Sequence, residues 1–160
     1  MTTTSPEPPT PRAVQHLKAA CADPNGRLPD KISKKILHAL LTDEYAYRTD
    51  RDGYRLSVKD ALAETTRPVF ITVEGRRAVL STPQLYALTR RVEPSGRLAP
   101  NVTWQTTSSL VDLGLAEYRD ANGTPKPTDG DTGVSGAVHY PFRTPLGQQV
   151  AELPEQQPAR

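Results

Sequence analysis

Apolar residues recur at helical spacing in the first part of the chain. Val14, Leu17 and Cys21 stand three and four apart and predict an amphipathic helix. Ile32, Ile36 and Leu40, with Leu37 and Leu41, form a clearer stripe and predict a second helix over about residues 31–42. The pattern then turns extended. Tyr45 to Arg48 is expected to leave that helix as a strand, and Asp52-Gly53 is a hairpin-turn dipeptide, because Asp and Gly tolerate positive φ. Val58 to Thr66 is expected to hold one short helical turn, and Val69 to Thr72 a return strand. A last helix follows Thr72, whose hydroxyl can cap the free amides at its start.

The same succession returns. Pro24-Asn25-Gly26-Arg27-Leu28 reappears as Pro94-Ser95-Gly96-Arg97-Leu98, an offset of 70, which also carries Leu40 onto Leu110 and Ala46 onto Ala116. Farther on the offset becomes 72, and Phe70, Thr72 and Gly75 fall on Phe142, Thr144 and Gly147. An ordered series of matches at a nearly constant offset points to an internal duplication. The second copy supplies its own periodic stretch (Leu85, Leu88, Val92), with Pro83 after Ser81 and Thr82 as a helix-start signal. A helix over about residues 102–113, a strand from Leu115 to Arg119, an Asn122-Gly123 turn, a return strand from His139 to Arg143 and a helix after Thr144 complete it. The intervening loop, Gly123 to Gly136, is long and rich in Gly, Pro, Thr and Asp.

These patterns divide the chain into an N-terminal arm (1–11), a first copy (12–82), a second copy (83–153) and a tail (154–160). The arm and tail are too poor in apolar residues to offset ordering entropy and are expected to be disordered. The 160 residues are only 36% hydrophobic, which suits two small cores better than one large one. A single cysteine excludes an internal disulfide and fits a reducing compartment. No apolar run approaches the ~20 residues that span a bilayer, and the polar N-terminus lacks a secretion signal, so a cytoplasmic location is expected. The net charge of +2 is unevenly spread: residues 12–82 carry thirteen Lys or Arg against nine Asp or Glu, whereas residues 83–153 carry six against seven.

Three segments bring a family into view. Ser109-Leu110-Val111-Asp112-Leu113-Gly114-Leu115-Ala116-Glu117 resembles a recognition helix running into the wing of bacterial winged-helix regulators. Phe142-Arg143-Thr144-Pro145-Leu146-Gly147 and Ile71-Thr72-Val73-Glu74-Gly75-Arg76 resemble the second wing strand and the start of the helix after it. The resemblance covers about 140 residues and implies an α+β fold of tandem winged-helix-like modules, each helix, short strand, helix, β-hairpin wing, helix, related by a pseudo-twofold. Only Leu28 to Asp30, or Leu98 to Pro100, separates the first helix from the second, so each copy is one helix short of the usual helix-turn-helix. The function implied is transcriptional regulation through duplex DNA. The chain would act as a monomer with an internal pseudo-dimer or as a homodimer.

Candidate contacts follow from the residues themselves. Lys31, Lys34, Lys35 and His38 lie at i, i+3, i+4 and i+7, opposite the apolar stripe, and could neutralise successive phosphates. Arg48, Arg51, Arg55 and Lys59 surround the Asp52-Gly53 turn as a basic wing. The matching positions of the second copy hold Asn101, Trp104, Gln105 and Ser108; amide side chains pair with adenine edges, and an exposed Trp stacks or wedges. The plainer readings are a solvated lysine face and a Trp104 packed between the copies. A second function class, a protein-interaction module of the same fold, fits the near-neutral second half. Arg27 and Arg97 recur beside a turn and are equally suited to a structural role.

Catalytic readings are weak. His16, His38 and His139 fall in unrelated segments without metal-ligand spacing to Cys21. Asp129-Gly130-Asp131-Thr132-Gly133 lacks the closing Glu of a calcium loop. No phosphate-cradling loop, nucleophile elbow or carboxylate pair is found. A non-enzyme without cofactor or metal is expected.

Overall fold

The computed structural model describes residues 8–120, 123–125 and 139–154. The chain is mixed helix and antiparallel sheet and separates into two compact units. Among the described residues, unit 1 holds 8–79 together with 153–154, and unit 2 holds those between Leu80 and Glu152.

In unit 1, helix α1 (Pro11–Ala22) is capped by Thr10, whose hydroxyl accepts from the Ala13 amide at 3.3 Å, with proline in the first turn. Pro11 is therefore helical and not the last residue of a disordered arm. The helix buries Ala13, Leu17, Ala20 and Cys21. Helix α2 (Lys34–Thr42) starts later than the apolar stripe suggests, because extended Ser33 caps it and accepts from the Ile36 amide at 3.3 Å. Strand β1 (Ala46–Tyr47), helix α3 (Val58–Ala63), strand β2 (Phe70–Ile71) and helix α4 (Val73–Ala78) follow. The strands pair antiparallel with Ala46 opposite Ile71 and Tyr47 opposite Phe70, and Arg27 bridges to Phe70 on the other edge.

In unit 2, helix α5 (Thr82–Arg90) opens with a capping box formed by Ser81 and Gln84. A boundary after residue 82 would cut this helix; the cap at Ser81 keeps it whole within unit 2. Helix α6 (Trp104–Asp112) is capped by Thr103, so it too starts later than the 102 expected. Strands β3 (Ala116–Arg119) and β4 (Tyr140–Arg143) pair antiparallel in a separate sheet, and helix α7 (Pro145–Glu152) closes the unit. The core of unit 1 centres on Leu17, Leu28, Leu40, Tyr45 and Ile71, and that of unit 2 on Leu88, Leu98, Leu110, Leu115 and Val150. Each buried Leu or Ile contributes about 1.5–3 kcal/mol of transfer free energy.

The backbone of the two units corresponds bond by bond. The Leu28 amide donates to Val69 O at 2.8 Å, and the Leu98 amide to Pro141 O at 2.9 Å. Ile71 N donates to Gly26 O at 2.8 Å, and Arg143 N to Gly96 O at 2.7 Å. The hydroxyls of Thr72 and Thr144 cap the following helix and donate to Glu44 O (2.6 Å) and Gly114 O (2.8 Å). Asp50 N donates to Tyr54 O at 2.9 Å across one hairpin tip, and Asp120 N to Thr124 O at 3.0 Å across the other. Every one of these pairs is spaced by 70 or 72 positions. Asn122, most of the Gly123–Gly136 loop and the Asp129–Gly133 segment lie outside the described residues.

Candidate nucleic-acid interface

Ser33 sets the geometry of the basic helix. Because it caps α2, Lys34 and Lys35 occupy the first turn, and with His38 they are exposed, while Leu40 and Leu41 in its last turn are buried. Lys31 lies outside the helix, two residues before the cap, so it extends the basic stretch without continuing the helical line. The first turn holds no acidic residue. Two lysines at a helix N-terminus oppose the macrodipole, at a cost of about 0.3–1 kcal/mol each. The same arrangement concentrates positive potential, because free amides, dipole and ammonium groups act together on an approaching anion.

The expected wing is a short hairpin. Thr49 bridges to Arg55, Leu56 N donates to Arg48 O at 2.8 Å, and the Asp50 carboxylate accepts from the amides of Asp52 (2.9 Å) and Tyr54 (3.0 Å). Gly53 supplies the positive φ, +88°. Arg51 is exposed at the tip. Arg55 is exposed too, with its guanidinium 4.3 Å from the centre of the Tyr47 ring, a cation–π contact that holds the cation beside the strand. Lys59 is exposed on α3, which packs against α2.

Arg48 departs from the expected wing. Instead of gripping a ligand from the wing, it is buried at 8% exposure, and its Nη1 donates to the carbonyls of Ala61 and Glu64. Those carbonyls belong to the C-terminal end of α3, where unpaired acceptors accumulate, so the guanidinium is drawn inward to satisfy them. Burial lowers its pKa, and the Glu64 carboxylate pulls it back up. The Glu64 carboxyl is held below its ordinary range, first by the Thr66 hydroxyl, then by the Thr66 amide, with Arg48 adding attraction.

In unit 2, Trp104 opens α6 and is 74% exposed, and Gln105 beside it is exposed. Asn101 precedes the Thr103 cap and is exposed outside the helix. Tyr54, 72% exposed between Arg51 and Arg55, is an aromatic the sequence patterns did not single out, although its place directly after Asp52-Gly53 marks it as a tip residue. Cys21 is core, and burial pushes its thiol pKa up, the Arg76 charge partly offsetting this. Among the described residues no three His, Cys, Asp or Glu gather at metal-binding distance, and no helix is long and apolar enough to cross a membrane. Compared with known protein families, curated proteins and solved structures, the chain matches none.

Proposed function

We propose that the chain is a cytoplasmic transcriptional regulator built from two shortened winged-helix-like modules, with unit 1 as its principal grip on duplex DNA. The observation that carries this reading is the exposed first turn of α2, where Lys34 and Lys35 reinforce a helix N-terminus and that turn holds no carboxylate. Arg51, Arg55 and Lys59 add exposed cations from the hairpin and α3. Phosphates are the natural complement of such a surface, and the affinity would come mainly from counterion release. Trp104 and Gln105 of unit 2 offer a stacking plane and an amide for base edges.

Titration of a labelled duplex with wild type and a Lys34→Ala/Lys35→Ala variant tests the reading. The variant is expected to bind roughly tenfold more weakly at low salt, and its log–log salt slope should be shallower by about 2, one phosphate lost per lysine. Unchanged affinity and slope would remove the proposal. A protein-interaction module is the second reading, favoured by the exposed aromatics Trp104 and Tyr86 of the near-neutral unit 2. It would be selected by a stable protein complex together with no duplex affinity at low salt.

A further inference from the structure

Unit 1 contains a cleft of about 320 Å³ whose lining includes Leu28, Ile32 and Leu37 together with three arginines, Arg27, Arg48 and Arg67. That volume lies at the small end of the range for ligand pockets, about 300–1,000 Å³. Asp30 is the one carboxylate of the lining, so the cations exceed the anions by two. Asp30 is already committed to Arg27, Oδ1 to Nη2 at 2.9 Å, but both side chains are largely exposed, so the pair is weak and exchangeable.

The other two guanidiniums are fixed by backbone. Arg67 Nε donates to Thr49 O at 2.8 Å, which anchors the half-buried side chain without neutralising it. Arg48 Nη1 is bound to the carbonyls of α3, and its Nε is buried with no hydrogen-bond partner among the described residues. Arg48 thus lines the cleft as a cation held in place by backbone carbonyls.

Unit 2 shows what the same framework does without a surplus of charge. Tyr118 stands at the position of Arg48, and Tyr140 at that of Pro68. The Arg97 guanidinium lies 3.8 Å from the centre of the Tyr140 ring, covered by it. Its counterpart Arg27 has Pro68 there instead, with no ring to cover its face, and pairs with Asp30 at the cleft.

We propose that this cleft binds a small organic anion, a single carboxylate on a short apolar body. The carboxylate replaces Asp30 on Arg27 and meets Arg67, while the apolar body lies against the half-buried Ile32 and Leu37. Charge-assisted hydrogen bonds from guanidinium to carboxylate supply the specificity, and the apolar wall distinguishes the ligand from a bare inorganic anion.

Calorimetry, with amide NMR to locate the site, tests this on the full chain using hexanoate, 1-hexanol and inorganic phosphate as probes. Hexanoate is expected to saturate a single site and move the amides of residues 27–37 and 65–69. Hexanol and phosphate, each lacking half of the ligand, should bind roughly tenfold more weakly. Arg27→Gln and Arg67→Gln should each weaken hexanoate about threefold or more, and Asp30→Asn, which releases Arg27, should tighten it about threefold. Arg27 and Asp30 are exposed, so those two variants keep the fold even if Arg67→Gln does not. The proposal is overturned if hexanoate does not saturate, if hexanol or phosphate binds equally well, or if Arg27→Gln and Asp30→Asn leave its affinity unchanged.

Discussion

Units 1 and 2 share a hydrogen-bonding scheme and differ in almost everything they turn outward. Lys34, Lys35 and His38 of α2 correspond in sequence to Trp104, Gln105 and Ser108 of α6 at the same offset, and the basic excess of the first half is absent from the second. The positions that agree are those where the backbone leaves no choice: Gly26 and Gly96 in the turn, Leu28 and Leu98 in the core, Thr72 and Thr144 at the cap, Gly75 and Gly147 where a helix meets a carbonyl. A few geometric demands hold a small module together. The rest of its surface is free to take up different chemistry.

The largest test of that comparison lies at the paired glycines. A Cβ on Gly75 would stand 2.3 Å from Tyr45 O, and one on Gly147 would stand 2.1 Å from Leu115 O. Backbone cannot yield as a side chain can, so Gly75→Ala and Gly147→Ala should each destabilise by about 3 kcal/mol, read by urea denaturation. If either variant is as stable as wild type, the close approach is not shared.

The threonines come next. Thr72→Ala removes a cap to the Gly75 amide (2.9 Å) and a bond to Glu44 O (2.6 Å) at a buried site, and should cost about 2 kcal/mol. Thr144→Ala removes the equivalent pair at a half-buried site where water can substitute, and about 1 kcal/mol is expected. Thermal melts of both variants, with serine replacements restoring most of the loss, check the ranking.

The smallest effect sharpens the one place where the shared scheme is ill served. Both α2 and α6 end in a Schellman turn, with Tyr45 N on Leu40 O and Leu115 N on Leu110 O, each at 2.9 Å. The left-handed residue is Gly114 (φ 75°) in unit 2 but Glu44 (φ 62°) in unit 1. Glu44→Gly should stabilise by about 1 kcal/mol, and Gly114→Ala, whose Cβ would touch nothing within 4 Å, should cost about as much. A destabilised Glu44→Gly would mean that the Glu44 side chain contributes more than its backbone strain.

Much of this was legible in the residues. The helix stripes, the Asp52-Gly53 tip, the Thr72 and Thr144 caps and the doubled Gly-Arg-Leu segment rest on bonds between neighbours in sequence or on turns with narrow residue preferences. The helix starts fall later than the stripes indicate because an apolar stripe can run past the cap: Ile32 and Val102 continue the periodicity, but Ser33 and Thr103 take the first free amides. The burial of Arg48 is not legible locally, because a basic residue beside a turn has the pattern of an exposed one and only α3 brings carbonyls to it.

Local order, then, was written in the chain, since capping, turn preference and helical period involve residues a few positions apart. Tertiary structure alone decided the burial of Arg48 and the gathering of Arg27, Arg48 and Arg67 in one cleft. Arg48 reaches Ala61 and Glu64, thirteen and sixteen residues away. Which charge is desolvated and which remains free depends on how distant segments pack, and no local pattern encodes that.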